Sequence, residues 1–327
     1  MPFTDIVGNN KIKHILKNYL DKERIPYSMI FSGPQSANLS DLALGFAKSV
    51  NCERDKDDFC DSCDHCADIN KTIFPDVIYL VPDGQFYKKD QIIELIEENY
   101  KRPMVSDKKI FIMSDANKMN ESSSNSFLKV LEEPSDSTIF ILLTRNKSQL
   151  LPTIRSRCQI LNFYSPSKKE IHDHLIKMGY DTEKADLLAS ISRSSIDNVL
   201  KEDFYSLQNK RSRYLEILEK LLKKKQIDEV LLALSDQSRS RSVFIDSFGE
   251  MINLISLMLR DIMIIKIELK KEFLINVDFS EKLFELQKYI TLEKILYLIR
   301  RMEFLQRDIK RNLNSKILIL EFINSYV

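Results

Sequence analysis

The chain has 327 residues, which is too long for one ordinary hydrophobic core and predicts two or three domains. Its 49 basic and 48 acidic side chains nearly cancel, and this excludes the global basic field that dominates binding to duplex nucleic acid. No N-terminal apolar run resembles a signal peptide, and polar residues interrupt the most apolar late stretch, 251–265. We therefore expect a cytoplasmic protein with no membrane segment.

Glycine and proline divide the chain into two regions. All nine prolines lie at or before Pro166, and only Gly179 and Gly249 of the six glycines lie beyond it. Because these residues mark turns between strands and helices, we expect a mixed α/β region followed by an all-helical remainder. The predicted parts are an α/β core over 1–165, a small helical domain over 166–205 and a last helical domain over 206–327, and a charged run around 204–210 is predicted to link the last two.

The first motif is the frame of a nucleotide-binding loop, in which a β-type run at 29–31 leads through a loop into an apolar-periodic helix. A working P-loop reads G-x-x-x-x-G-K-[ST], because its lysine neutralises phosphate oxygens and its second glycine lets backbone N–H groups wrap them. Gly33 and Ser40 occupy two of these positions, but Asn38 replaces the second glycine and Leu39 replaces the lysine. Since an isobutyl group makes no charge-assisted contact, we expect no ATP on this chain.

A cysteine cluster follows the loop helix. Four of the five cysteines fall within the predicted insertion 52–66 with the spacing C-x7-C-x2-C-x2-C, namely Cys52, Cys60, Cys63 and Cys66. Four thiolates close the tetrahedral shell of a structural Zn²⁺ ion, so zinc is the predicted occupant. Three alternatives stay open: four unrelated thiols, His65 in place of one thiolate, and an iron–sulfur cluster, although the x3-C-P continuation of the ferredoxin run is missing.

Further strand-like runs at 77–81, 110–113, 139–143 and 160–163 alternate with helical patterns, which predicts a largely parallel sheet covered on both faces. The second of these runs is followed by Asp115, in the form of a Walker B segment. Ala116 stands where the second acid should be, so hydrolysis has no general base. We interpret Asp115 as a helix or turn cap and not as a metal ligand.

Ser156, Arg157 and Cys158 lie between a helix-like stretch at 150–154 and the last strand-like run. Together with the runs 128–134 and 141–144, they resemble the pattern L-K-x-L-E-E-P … L-L-x-T … T-I-x-S-R-C of the clamp-loader branch of AAA+ ATPases. The cysteine insertion is likewise similar to that of the bacterial DNA polymerase III clamp loader. The resemblance covers the first 165 residues closely and the helical tail more loosely.

The resemblance implies an AAA+ core with a parallel sheet, a small helical lid and an all-α collar through which subunits associate. Ser156, Arg157 and Cys158 would form the motif whose arginine reaches the γ-phosphate of an adjacent subunit in trans. The implied partners are the clamp-loader gamma/tau and delta subunits, the sliding clamp, and primed DNA through the assembled complex. The expected chain is a subunit of the polymerase holoenzyme with a structural zinc, no bound ATP and no intrinsic ATPase activity.

Two other functions compete with this interpretation. The first is an active ATPase of the gamma/tau type, which Leu39 and Ala116 argue against. The second is a zinc-containing nucleic-acid-binding protein that uses the basic stretch at 210–225. Leucine and isoleucine are interleaved with the basic residues of that stretch, a pattern typical of the solvated face of an amphipathic helix.

Overall fold

The computed structural model describes residues 3, 6–34, 37–55, 57–192, 204–236, 241–270, 273–310 and 314–326. The chain divides into two compact units, Met1–Ala185 with Ser192–Ile196, and Asp186–Ile191 with Asp197–Val327. The three-part division with boundaries near 166 and 206 stays a prediction.

The first unit contains a five-stranded sheet. Its strands are β1 (Ser28–Ser32), β2 (Val77–Leu80), β3 (Lys109–Met113), β4 (Thr138–Thr144) and β5 (Gln159–Asn162). They are ordered β2-β3-β4-β1-β5, and every neighbouring pair is parallel. Ser32 is in register with Thr144 and Asn162, so the carboxyl ends of the three strands meet at one edge. The predicted parallel sheet is confirmed.

Helices cover both faces of the sheet, as expected for parallel strands. They and the helices that follow are α1 (Asn10–Asp21), α2 (Leu39–Asn51), α3 (Asp64–Asn70), α4 (Lys89–Asn99), α5 (Glu121–Glu132), α6 (Pro152–Arg155), α7 (Lys168–Lys177) and α8 (Thr182–Ile191). Because side chains alternate along a strand, Phe31 and Ile30 of β1 enter separate cores. Phe31 packs with Phe46 of α2 on one face, and Ile30 packs in the cluster of Phe127 of α5 on the other.

The second unit is helical, as predicted. Its helices are α9 (Phe204–Leu222), α10 (Ile227–Asp236), α11 (Arg241–Lys266), α12 (Ser280–Leu286), α13 (Leu292–Lys310) and α14 (Ser315–Asn324). The predicted linker at 204–210 is wrong, because these residues form the first turns of α9. Leu207 is buried there, so one face of this stretch packs inward. Among the described residues, no helix combines the length and the apolarity that crossing a bilayer would require.

A buried polar network ties α9 and α11 to the segment between α11 and α12. Arg211 of α9 is fully buried and donates two hydrogen bonds of 2.8 Å to the carboxylate of Asp278 and one of 2.9 Å to Asn276. Asp261 of α11 is also fully buried and accepts from the backbone N–H groups of Ile275 at 3.1 Å and Asn276 at 2.7 Å. Buried charges persist when they are paired in this way.

Candidate functional site

The nucleotide loop begins at the carboxyl end of β1 with a glycine that packing requires. The N–H of Gly33 donates to the carbonyl of Thr144 at 3.1 Å. A Cβ at this position would lie 2.8 Å from the backbone carbonyl oxygen of Phe163, which is closer than real Cβ atoms approach. No side chain fits here, so Gly33 is required by the neighbouring chain segment and not only by a phosphate.

The next two motif positions keep the backbone shape of a nucleotide loop but lose its chemistry. Asn38 has φ 49° and ψ 55°, the left-handed conformation that glycine adopts freely and asparagine tolerates. Its side-chain amide donates to the carboxylate of Asp41, in the first turn of α2. Leu39 is half-buried and packs against the core beside β1. The loop thus offers a phosphate a carboxylate and an apolar side chain instead of an ammonium group.

The groups that would hold a magnesium ion are engaged within the chain. The hydroxyl of Ser40, which binds Mg²⁺ in a working loop, lies 2.9 Å from the hydroxyl of Tyr79 on β2. Asp115 has φ 45° and pairs with Lys118 at 2.9 Å, and Ala116 behind it is buried. Asp115 precedes a 3-10 turn and makes no side-chain capping bond, so it is a turn residue whose carboxylate forms a local ion pair.

The structure brings the four predicted metal ligands together. The Sγ atoms of Cys52, Cys60, Cys63 and Cys66 all lie within 4.8 Å of one another. Tetrahedral zinc with Zn–S bonds of about 2.3 Å requires S–S separations of about 3.8 Å, so a small contraction of the cluster would close the shell. The residues present fit a structural Zn²⁺ ion.

Backbone amides also point at the sulfurs, as they do around metal-bound thiolates. The N–H of Cys63 donates to Cys60 Sγ at 3.3 Å, and the N–H of Cys66 donates to Cys63 Sγ at 3.4 Å. Hydrogen bonds from Ser62 lower the pKa of Cys60 to about 6, whereas burial raises the pKa of Cys66. Metal binding would therefore have to displace a proton from Cys66.

The alternative ligand His65 turns both ring nitrogens toward oxygen atoms. Its Nδ1 lies 2.9 Å from the carbonyl oxygen of Asn51, and its Nε2 lies 3.4 Å from a carboxylate oxygen of Glu53. The imidazole packs on Phe74 with ring centroids 4.9 Å apart. These contacts favour the set of four cysteines over three cysteines and a histidine.

Lys48 of α2 fastens the cysteine loop to the core, a role that the sequence did not indicate. Its ammonium group lies 2.5 Å from a carboxylate oxygen of Asp61 and 4.1 Å from the ring centroid of Phe59. Burial lowers the pKa of Lys48. A lysine inside an amphipathic helix carries no local signal of such a contact, since its partners lie in the following loop.

The arginine motif lies at the other edge of the sheet. Arg157 follows α6 and donates through Nη1 to the carbonyl of Thr153 at 3.0 Å and through Nη2 to Glu132 Oε1 at 2.6 Å. The Arg157 side chain is 36% exposed. It lines a surface depression of about 610 Å³ together with residues that precede β1, β4 and β5. The guanidinium is thus presented at the surface, where another protein can meet it.

The two residues that flank Arg157 in the motif make contacts within the chain. The hydroxyl of Ser156 donates to the carbonyl of Thr153 at 3.0 Å and so closes the turn after α6. Cys158 packs into the core beside α5, and burial raises the pKa of its thiol to about 12. Such a thiol is unreactive at neutral pH. Arg155, an arginine that lies just outside the motif, has a buried Nε that makes no hydrogen bond with the described residues.

The loop and the arginine lie on opposite edges of the sheet. Gly33 follows the carboxyl end of β1, whereas Arg157 precedes the amino end of the parallel strand β5. The five residues of β1 advance about 3.3 Å each, so roughly 13 Å or more separates these edges along the strands. An arginine side chain does not bridge that distance through the sheet. Arg157 is therefore unable to serve the loop of its own chain.

The basic stretch at 210–225 is largely neutralised by acidic partners. Arg211 is buried against Asp278, as described above. The remaining basic residues include three in ion pairs, namely Lys210 with Glu250 at 2.9 Å, Lys220 with Glu229 at 2.8 Å, and Lys223 with Glu219 at 2.5 Å. These acidic partners lower the net positive charge of the stretch, and so its electrostatic attraction for a phosphate backbone. The structure thus weakens the nucleic-acid-binding alternative.

Comparison with known proteins finds similarity to subunits of DNA polymerase III. The family described as DNA polymerase III, delta subunit, matches residues 8–167. The DNA polymerase III subunit delta' of Bacillus subtilis is 34% identical over 215 residues, which cover 66% of this chain and 65% of the relative. The chain belongs to the family of DNA polymerase III clamp-loader subunits.

Other clamp-loader subunits match this chain over only part of their length. The gamma/tau subunit of Mycoplasma pneumoniae is 32% identical over 175 residues, which cover 54% of this chain and 25% of that subunit. The matched region thus spans 65% of the Bacillus relative and a quarter of the Mycoplasma one. Among solved structures, a gamma subunit-related protein of Thermotoga maritima aligns with 18% identity and a TM-score of 0.49, over 96% of this chain and 98% of that one.

Proposed function

We propose that this chain is a delta-prime-like subunit of the DNA polymerase III clamp loader that does not hydrolyse ATP itself. It supplies Arg157 in trans to the nucleotide of an adjacent ATPase subunit, and so helps to load the sliding clamp onto primed DNA. The observation that carries the proposal is the opposite placement of the two motifs. An exposed guanidinium on one edge cannot reach its own loop, and the loop on the other edge has lost its lysine.

The proposed partners are those that the resemblance to clamp-loader subunits implies. Gamma/tau and delta subunits are the proposed neighbours in the assembly, and clamp and primed DNA are contacted through the complex. Cys52, Cys60, Cys63 and Cys66 would hold a structural Zn²⁺ ion, which supplies folding free energy to the loop and no chemistry. A loader that acts on the bacterial chromosome works in the cytoplasm.

The chemistry of Arg157 is electrostatic. A guanidinium that meets the γ-phosphate stabilises negative charge as it develops during phosphoryl transfer, an effect of about 10³ to 10⁵ in rate for related systems. Its planar fork of N–H donors matches two phosphate oxygens at once. The active-ATPase alternative requires Leu39 and Ala116 to be functionally silent, and it requires the Ser40 hydroxyl to leave Tyr79.

The test is Arg157→Ala in a loader reconstituted with its gamma/tau and delta subunits. We expect the variant to fold and assemble, because one exposed arginine contributes little to either process. DNA-stimulated ATP turnover should fall by about tenfold or more at the affected site, and by less in the whole assembly because other interfaces keep their own arginines.

The matched control is Arg155→Ala, which changes an arginine two positions away that lies outside the motif. It should reduce turnover much less than Arg157→Ala. Unchanged ATPase and clamp-loading rates for Arg157→Ala would show that the motif is only structural in this chain.

A further inference from the structure

Arg157 is held by a carboxylate that has no assigned role. Glu132 is the last residue of α5, and its Oε1 accepts the 2.6 Å hydrogen bond from Nη2 of Arg157. The carbonyl of Thr153 accepts from Nη1 at 3.0 Å, so two partners grip the two ends of the guanidinium fork. A free arginine side chain samples many rotamers, and these two contacts restrict it to one orientation.

The carboxylate is mounted on a rigid support. Asn120 caps the start of α5 by accepting a hydrogen bond from the N–H of Ser123 at 2.8 Å. Phe127, Val130 and Leu131 bury the inner face of the helix. Glu132 therefore has a fixed base next to the depression that Arg157 lines.

The location of Glu132 is electrostatically unfavourable without its partner. The carboxyl end of a helix carries partial negative charge, and an acid in the last turn is repelled by it. Arg157 offsets that repulsion. The carboxyl end of a helix normally favours lysine or arginine. Glu132 stands there instead and pairs with Arg157, which indicates that this ion pair is the role of the carboxylate.

The hydrogen bonds with Thr153 and Glu132 leave the guanidinium of Arg157 able to bind a phosphate. Arginine has five N–H donors, and the contacts with Thr153 and Glu132 use two of them, which leaves three. The Glu132 side chain is 50% exposed, so solvent screens the ion pair and an incoming phosphate can share the guanidinium.

We infer that Glu132 is a positioning residue for Arg157: it orients the guanidinium at the surface before the neighbouring nucleotide arrives. This inference rests on the proposed function, since it assigns Glu132 a role only if Arg157 acts in trans. Preorganised donors raise the rate of the chemical step without a need to reorient during the reaction.

The experiment uses the reconstituted loader with Glu132→Ala, Arg157→Ala and the double variant. Glu132→Ala should lower ATP turnover about twofold to fivefold, the range expected for a partly exposed ion pair. The loss should fall on kcat and leave KM for ATP unchanged, because nucleotide binding belongs to the partner. In the Arg157→Ala background the second change should cause no further loss.

Two controls separate positioning from folding. Glu132→Gln keeps an acceptor oxygen at the same reach and should bring turnover to within about twofold of the unaltered loader. Glu133→Ala removes the exposed acid next to it and should leave turnover unchanged.

Each outcome decides the matter. If Arg157→Ala lowers turnover but Glu132→Ala does not, the positioning role is refuted and the proposed function stands. If Glu132→Ala causes the same fractional loss with and without Arg157, Glu132 acts only on the structure and the inference is again refuted. If Arg157→Ala itself has no effect, the proposed function fails and the role of Glu132 fails with it.

Discussion

Asn38 and Ser40, two polar residues of the nucleotide loop that the structure describes, are each engaged by another residue of the same chain. Asn38 donates to Asp41, and the Ser40 hydroxyl lies beside that of Tyr79. A nucleotide would have to break both contacts and would gain no lysine in return. The predicted loss of nucleotide binding would therefore rest on several residues and not on Leu39 alone.

We expect the isolated chain to show no saturable binding of MgATP up to low-millimolar concentration. The reason is the absence of the lysine, together with a carboxylate at the start of α2 that repels phosphate. Isothermal titration calorimetry measures this, with an active gamma/tau subunit as the control. A micromolar site that depends on Mg²⁺ would contradict the expectation.

The roles of individual residues differ in how far the sequence alone could predict them. Arg157 could be singled out because a short pattern surrounds it. Glu132 lies in one of the runs that carry the resemblance, yet nothing local indicates its role, since its partner is 25 positions away. Lys48 is similar, because its contact with Asp61 exists only once the cysteine loop folds back on α2.

Among the elements, the cysteine loop owes its shape to side chains more than to backbone pairing. It contains the short helix α3, which Cys63 caps by accepting from the N–H of Cys66. Two ligands are buried and two are half-exposed, so the loop closes around its own sulfurs. Such an element has little hydrophobic core and needs a staple.

We predict one zinc ion per purified chain, bound by the four clustered cysteines. Cys66→Ser should release the metal and unfold the loop locally while the sheet keeps its cooperative unfolding. Acidification should also release zinc, because protons compete for the thiolates. Elemental analysis and limited proteolysis measure these effects. Cys158→Ser is the control and should keep the zinc, whereas iron in place of zinc, or metal-free protein prepared without chelator, would overturn the assignment.

The helices of the second unit depend on a buried carboxylate. Asp261→Ala would leave the N–H groups of Ile275 and Asn276 without their acceptor. We expect a loss of about 3 kcal/mol or more in the free energy of unfolding of this unit, since each buried donor left unpaired costs about 1–3 kcal/mol. Chemical denaturation followed by circular dichroism measures the loss.

Two further variants test whether the loss of stability on Asp261→Ala comes from the missing acceptor. Asp261→Asn retains an acceptor oxygen and should cost less than Asp261→Ala. Glu281→Ala removes an exposed acid from α12 and should change the free energy of unfolding by less than about 0.5 kcal/mol. Equal stability of Asp261→Ala and the unaltered chain would show that the network is dispensable.

For the whole molecule, the sheet and its helices could be predicted because short apolar runs alternate with helical patterns between glycine and proline turns. Each predicted strand lies within two residues of the observed one. The start of α9 was not predicted, because polar residues at 206 and 208–210 surround its single buried leucine, Leu207. Arg211 is an extreme case, since its burial depends on Asp278, which lies 67 positions later in the chain. Contacts over such separations leave no periodic signal.

The opposite placement of the loop and Arg157 gives the molecule a direction. In the proposed assembly, the edge that carries Arg157 would take part in the interface with one neighbour. The edge that carries the loop would bring no nucleotide to the interface with the other neighbour. Contacts of this kind are head-to-tail, so they propagate in one sense around a ring. An assembly built only from copies of this chain would hold no ATP at any interface. In a ring of ATPases, each copy that takes the place of an ATPase subunit would therefore remove one reaction centre and would mark the interface at which the series of ATP-binding sites ends.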